Sequence, residues 1–284
     1  MFKTITETVK QGECPYCKKE SFVYTYENEK VFLCHHCQRH LSYEKVIKNV
    51  NNDNNGSGVS RSSNKININY DSILYGYKSL SDLPSNHECV RYVRSRNIPT
   101  SVYSDIYYCD NFSEVASYAE VKLLPSKRLM LPLRDKTGRL FGVQGRAVDK
   151  SEPRYITLMF DKDEDKLYGQ DKVDMTKTFY VVEGPIDSLF LKNCIAMAGS
   201  DGLSDKYFSN AVLCFDNEPR NKQIVDKVER YIEKGFKTVV WPDHIKDKDI
   251  NDMILKGVNV QHIVEQNTYA GLAAKIKFNA WKKI

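Results

Sequence analysis

Phe179 to Glu183 reads FYVVE, a short apolar run ending on a carboxylate, and Gly184-Pro185 then turns the chain into IDSLFLKN, whose Ile186, Leu189, Phe190 spacing is helical. The pattern recurs twice. AVLCFD closes on Asp216-Asn217-Glu218-Pro219 and is followed by a helical stretch with Ile224, Val225, Val228, Tyr231 and Ile232 on one face. KTVVWP leads to Asp243, His244, Lys248, Asp249, Asn251 and Asp252. Alternating strands and helices predict an α/β unit with a parallel sheet and right-handed crossovers. In such sheets the functional crevice lies beyond the carboxyl ends of the strands, where all three acidic clusters fall.

Carboxylates gathered in one crevice cannot all stay ionised without a compensating cation. Oxygen ligands with few histidines select magnesium or manganese over zinc, and phosphoryl transfer is the chemistry such a cation serves. An acidic residue after a strand is also a common helix cap or turn former, and any one of these, taken alone, reads that way. Three successive strand ends argue otherwise. Glu183 is the least cap-like, because Gly-Pro follows it, whereas Asp187 sits in the first helical turn and reads as structural.

Working outward, Tyr70 to Asp174 is mixed. HECVRYVRSRN, from His87 to Asn97, predicts a short basic helix before Pro99, and RLMLPLRD and GRLFGVQGRAVD predict strands joined at Lys136-Thr137-Gly138. Arg128, Arg134, Arg139, Arg146 and Arg154 punctuate these runs. On a sheet with one buried face they are expected on the solvated face or rim, either as a surface for phosphates or as a solvated face of no function. Upstream, residues 51–69 are rich in Asn, Gly and Ser and lack an apolar period, which predicts a flexible linker spanning roughly 24 Å on average.

Before the linker stand Cys14-Pro15-Tyr16-Cys17 and Cys34-His35-His36-Cys37, two CxxC knuckles at zinc-ribbon spacing. Four thiolates close a tetrahedral Zn2+ site with no open position, so this metal is structural. SFVYTYENEKVFL between them reads as a hairpin carrying the knuckles. His35, His36 and His40 could replace a thiolate, but the symmetry of the knuckles leaves them to support the ligands or to face nucleic acid. Cys89, Cys109, Cys194 and Cys214 are isolated and read as small core residues.

The chain has 284 residues, and 42 Lys plus Arg against 37 Asp plus Glu give a net charge of +5. That excludes a blanket of positive charge and permits nucleic-acid binding only through clustered basic residues. No apolar run approaches a membrane span and the first residues lack a signal-peptide core, so a soluble, cytoplasmic protein is expected. No phosphate-binding GxxxxGK[ST] loop occurs, so an ATP-driven helicase is not expected.

Glu183-Gly184-Pro185-Ile186-Asp187, Asp216-Asn217-Glu218 and Lys248-Asp249-Ile250-Asn251-Asp252 resemble the three motifs of the Toprim domain of primases, topoisomerases and related nucleases. Arg128 to Gly169 resembles the basic subdomain that precedes Toprim in bacterial primases. With the ribbon and the tail GLAAKIKFNAWKKI, the chain is similar to the T4-type bacteriophage primase family over nearly its whole length. The resemblance implies a ribbon at 1–50, the linker, a basic subdomain at 70–174, a Toprim subdomain at 175–260 and a helical tail at 261–284. It also implies Glu183 as general base or metal-positioning acid, Asp216, Glu218 and Asp249 as holders of Mg2+ or Mn2+, and Arg128, Arg146, Arg154 and Lys166 as phosphate grips. Two departures stand out: the second motif is Asp-x-Glu where Asp-x-Asp is usual, and Asn251 occupies a position that is often Asp.

The activity so implied is synthesis of short RNA primers from ribonucleoside triphosphates on a single-stranded DNA template, in the host cytoplasm and beside a separate replicative helicase. The ribbon would contact the template through Tyr16 and His36. A Toprim nuclease and a non-catalytic zinc-ribbon protein that binds single-stranded nucleic acid are the alternatives; a topoisomerase would need a strand-passage domain for which no length remains. The tail, with Lys275, Lys277, Lys282, Lys283, Phe278 and Trp281, reads as a helicase contact, a nucleic-acid grip or a helix packing its own tryptophan.

Overall fold

The computed structural model describes residues 70–149, 153–199, 203–207 and 209–284, together with the backbone of five strands within the first fifty residues. These strands, β1 (Lys3–Thr4), β2 (Val9–Glu13), β3 (Glu20–Tyr26), β4 (Glu29–Leu33) and β5 (His40–Ser42), form an antiparallel sheet in sequence order. The hairpin predicted from the alternation of residues 21–33 is present as β3 and β4, closing on the Tyr26–Glu29 pair. Glu13 opposes Glu20 and Leu33 opposes His40, so the chain leaves β2 and β4 at the same end of the sheet. The four predicted zinc cysteines and the predicted linker at 51–69 lie outside the described residues.

After two short 3-10 turns comes α1 (Glu88–Ser95), the basic helix expected from the sequence, capped by His87, whose Nδ1 accepts the Cys89 N–H. A third 3-10 turn leads to β6 (Tyr107–Cys109) and α2 (Phe112–Tyr118), then β7 (Arg128–Arg134), β8 (Leu140–Ala147) and β9 (Tyr155–Met159). β6 to β9 form an antiparallel sheet in sequence order. The β7–β8 hairpin turns where predicted. Gly138 takes φ 87° there, and Asp135 Oδ1 accepts the Thr137 N–H at 2.8 Å. Every residue of β8 is buried. At Gly145 an added Cβ would come within 2.5 Å of the Phe112 ring, so only glycine lets α2 pack onto the strand.

The remaining chain builds a six-stranded sheet in the order β10 (Leu167–Tyr168), β12 (Cys194–Met197), β11 (Phe179–Val182), β13 (Ala211–Cys214), β14 (Lys237–Val239), β15 (Thr268–Tyr269). β11 to β14 are parallel, and β11, β12 and β13 are buried along their whole length, as inner strands of an α/β sheet are. The sheet is mixed, however, because β10 and β15 pair antiparallel and cover its two edges. β12, unforeseen in the sequence, returns the chain after α3 (Pro185–Ser188). That helix stops at four residues because the chain must turn back to β12; i to i+3 bonds such as Leu189 N to Ile186 O tighten its end.

α4 (Lys222–Glu233) buries Val225, Val228, Tyr231 and Ile232, and Tyr231 stacks on Phe215 at 5.7 Å. α5 (Ile250–Leu255), α6 (Val260–Gln266) and α7 (Gly271–Trp281) complete the fold. In α7, Phe278 and Trp281 are buried, and Trp281 Nε1 donates to Asn217 Oδ1 at 2.9 Å, so the helix packs its own tryptophan. The four isolated cysteines are free and buried, and burial pushes the Cys89 thiol up to about 12 and that of Cys109 to about 11. They are inert core residues, as read from sequence.

Connections diverge at β11. The chain leaves it for β12 on one side, while β13 and β14 lie on the other, which makes the carboxyl ends of β11 and β13 the switch point of the sheet. β8 and β9 close over this end: Gln144 Nε2 donates to Ala198 O at 3.2 Å, and Thr157 Oγ1 donates to the same carbonyl. The two sheets thus enclose a cleft.

Candidate active site

The cleft has a volume of about 560 Å3 and one acidic wall, built by Glu183 after β11, Asp187 in α3, Asp216 after β13 and Asp249 at the start of α5. Burial pushes Asp216 up to about 8, helped by the charges of Glu183, Asp187 and Asp249 and opposed by Lys248. Burial likewise lifts Asp187 to about 7, with Asp249 adding to the effect while the Asn251 N–H and Arg96 oppose it. Gly184 makes room for this. An added Cβ there would stand 2.9 Å from Asp187 Oδ2, so the glycine lets that carboxylate fold back across the strand end. Asp249 serves two ends at once, since its Oδ1 caps α5 by accepting the Asp252 N–H at 2.8 Å while the residue lines the cleft.

The basic wall comes from the other sheet. Arg146, on β8, is 5% exposed, its guanidinium lies 4.3 Å from the Tyr155 ring centroid, and its Nε donates to Tyr92 Oη at 3.0 Å. Its Nη1 has no hydrogen-bond partner among the described residues. A buried guanidinium donor without a partner is costly, and a phosphate or carboxylate oxygen from a ligand is what satisfies it. Arg154 and Lys166 line the same cleft.

A reciprocal pair of bonds joins the walls at one end: Arg96 Nη1 donates to Asn251 Oδ1 at 2.9 Å and Asn251 Nδ2 donates to Arg96 O at 2.7 Å. Asn251 also gives its N–H to Asp187 Oδ1 at 3.0 Å, so this buried amide is a latch between α1 and α5. An Asp there would keep an acceptor for the Arg96 guanidinium but have no amide donor for the Arg96 carbonyl. The departure from the usual motif therefore has a local structural use.

Of the residues singled out by sequence, Glu183, Asp216, Asp249, Arg146, Arg154 and Lys166 line this one cleft. Glu218 does not. Its N–H bonds back to Asp216 O at 2.9 Å, and this tight turn sends Glu218 to a neighbouring cleft of about 350 Å3. Its carboxylate still pairs at 3.3 Å with Lys248, which lines the first cleft. For Lys248, burial works against the charge, but the bond to Glu218 and the fields of Asp216 and Asp249 outweigh it and raise the pKa.

The expectation that the arginines share a solvated face or rim is corrected for Arg128 and Arg146, which are buried. Arg128 is 1% exposed, stacks beside Phe112 and donates to Ser126 Oγ at 3.0 Å and Pro153 O at 2.9 Å, well inside the fold. Arg134 pairs with Asp71, and Arg139 pairs with Asp135, Asp161 and Glu164. All three make bonds within the fold, Arg128 in the interior and Arg134 and Arg139 at the half-exposed rim. Asp187, read from sequence as structural, belongs to the acidic wall, and its position one helical turn after Glu183 was the available signal. Arg96, Tyr92 and Tyr155 carry no comparable signal, because only the approach of the two sheets brings them to the cleft.

Among the described residues, no three His, Cys, Asp or Glu side chains are grouped closely enough to hold a metal ion unaided. Magnesium does not require it, since it keeps several waters and binds through one or two carboxylates plus substrate phosphates. The all-oxygen donor set, with Asp216 and Asp187 raised by burial and by neighbouring carboxylates, fits such an ion.

No protein-family model matches the chain. The DNA primase of Enterobacteria phage T4 is 31% identical over 217 residues, covering 72% of this chain and 63% of the T4 protein, so the chain spans less than two thirds of that relative. A DnaG primase catalytic domain, in a structure bound to ssDNA, superposes with a TM-score of 0.58 at 18% identity over 74% of this chain and 80% of that one. The zinc-binding and RNA polymerase domains of the Aquifex aeolicus primase superpose with a TM-score of 0.57 at 17% identity, over 98% and 83% of the two chains. The α/β fold expected from sequence is therefore that of primase cores. The chain is thus similar in sequence to the bacteriophage T4 DNA primase and has the fold of the bacterial primase cores.

Proposed function

We propose that the chain is a DNA primase, making short RNA primers from ribonucleoside triphosphates on single-stranded DNA with Mg2+ or Mn2+. The observation that carries this reading is the cleft itself: carboxylates raised by burial and by neighbouring carboxylates face the unpaired guanidinium donor of Arg146. One wall fits cations and the other fits phosphates. A chemistry that joins them is transfer of a nucleotidyl group.

A bound divalent cation would neutralise phosphate oxygens and acidify the attacking hydroxyl. Asp216 and Asp249 would hold it directly or through water, Glu218 would act on it only through its pair with Lys248, and Glu183 would orient it or accept the proton of the attacking 3′-hydroxyl. Arg146, Arg154 and Lys166 would grip the triphosphate and the template backbone, aligning the α-phosphate with that hydroxyl. Cys14, Cys17, Cys34 and Cys37 would hold a structural Zn2+, lost on Cys34→Ser as measured by metal content. Similarity to a domain described as bound to ssDNA supports the template class. No helix among the described residues is long and apolar enough to cross a membrane, in keeping with work in the host cytoplasm beside a replicative helicase.

The test is direct. Purified protein with Mg2+ or Mn2+, labelled ribonucleotides and mixed single-stranded DNA should yield short RNA, and Glu183→Gln should abolish the product without unfolding the chain. Full synthesis by that variant refutes the assignment. DNA cleavage in place of synthesis selects a Toprim nuclease, and DNA binding with neither reaction selects a non-catalytic ribbon protein.

A further inference from the structure

We propose that Lys227 is a positioning residue for the acidic wall: it holds one oxygen of Glu183 and so fixes the oxygen that Glu183 offers to a divalent cation. This rests on the reading of Glu183 as a cation-handling carboxylate. Lys227 lies in α4, beside the apolar stripe of Val225, Val228 and Tyr231, and reaches past the end of β13 to the end of β11. Its Nζ donates to Glu183 Oε1 at 2.6 Å, leaving Oε2 without a hydrogen bond among the described residues. The Phe215 ring lies beneath the ammonium, 5.1 Å from centroid to Nζ.

The pair differs from the ordinary surface ion pairs of the same helix. Lys222 and Asp226 are 79% and 54% exposed in their side chains, whereas Lys227 and Glu183 are 18% and 21% exposed. An exposed pair of the first kind exchanges freely with water and fixes little. The second is packed on an aromatic ring and keeps one geometry. The two lysines at the acidic wall also divide their targets, since Lys248 binds Glu218 and Lys227 binds Glu183.

An ammonium in this place has two effects of opposite sign. It repels a divalent cation, and at about 6 Å through a water-like dielectric that repulsion weakens binding about tenfold. It also removes the rotational freedom of Glu183, which speeds a reaction that needs this carboxylate in one orientation. Loss of Lys227 therefore tightens cation binding and slows turnover together. A residue that merely supported the fold would not separate the two in this way.

The experiment compares the full chain with Lys227→Met and Lys227→Arg. Mn2+ binding is measured by electron paramagnetic resonance without nucleotide or DNA, and primer synthesis is titrated with Mg2+. Lys227→Met is expected to bind Mn2+ about tenfold more tightly while turnover falls at least tenfold, and Lys227→Arg to restore both toward the parent. Lys227→Gln repeats the test should the methionine variant melt early. Unchanged or weaker Mn2+ binding in a folded Lys227→Met chain overturns the proposal, as does a parent that binds no Mn2+. Failure of the parent to make primers refutes the primase reading alone, because the Mn2+ measurement still decides the role of Lys227.

Discussion

Asp216→Asn should make the metal-free protein more stable. Asp216 ionises near 8 in the fold, where burial and the charges of Glu183, Asp187 and Asp249 oppose its ionisation, against 3.8 for a free side chain. An aspartate held protonated at pH 7 is penalised by about three pH units relative to the unfolded chain, or ~4 kcal/mol at 1.36 kcal/mol per unit. Part of this is repulsion shared with its neighbours, which ionise more readily once Asp216 is gone, so about half, ~2 kcal/mol, is the expected net gain. For a folded unit of this size that raises the melting temperature by roughly 4–8 °C. The sign with pH follows from the raised value: the penalty is absent below the unfolded pKa of 3.8 and grows as pH rises to about 8. Both tryptophans, Trp241 and Trp281, are buried in the core of the six-stranded sheet, so their fluorescence follows the unit that contains Asp216. The assay is a chelator-treated fluorescence melt at pH 4.5 and pH 7.5, repeated with Mn2+. The variant should gain stability at pH 7.5, lose most of the advantage at pH 4.5, and fall behind the parent once Mn2+ stabilises the latter by binding. An equal or lower melting temperature at pH 7.5 without metal, or a gain indifferent to pH, would refute the electrostatic account of the acidic wall.

Arg146→Met should weaken nucleotide or single-stranded DNA binding about tenfold and reduce the salt dependence of DNA binding by roughly one phosphate contact, checked by binding isotherms at several salt concentrations. Arg128→Met should leave that salt dependence unchanged but cost about 1–3 kcal/mol in urea unfolding, because Ser126 Oγ and Pro153 O lose their donor. Asn251→Ala should cost about 2–4 kcal/mol in the same assay, since it orphans both the Arg96 guanidinium and the Arg96 carbonyl in a buried latch.

Local patterns were legible in the sequence wherever one segment carried the whole signal. The apolar runs ending in Glu183 and Asp216 are strands because short buried strands need no partner to announce themselves beyond length and flanking turns. The amphipathic face of α4 was likewise readable from its own spacing. β12 was missed because CIAM is as compatible with a helix interior as with a strand, and only pairing with β11 decides between them.

Sequence by itself therefore determined the α/β alternation, the carboxylates at the strand ends and the inert nature of the four core cysteines, because each depends on contacts near in the chain. Tertiary structure decided the direction of the charged groups. β8 is buried along its whole length, so alternation could not tell which arginines would reach a ligand, and Arg128 went inward to hold the fold while Arg146 went to the cleft. One tight turn between Asp216 and Glu218 separated two acids that the sequence sets side by side. The partners of Glu183 and Asn251 come from α4 and from the residue just after α1, 44 and 155 positions away in the chain. No local period encodes a contact of that separation, because it exists only once burial of apolar surface has brought the helices and both sheets together.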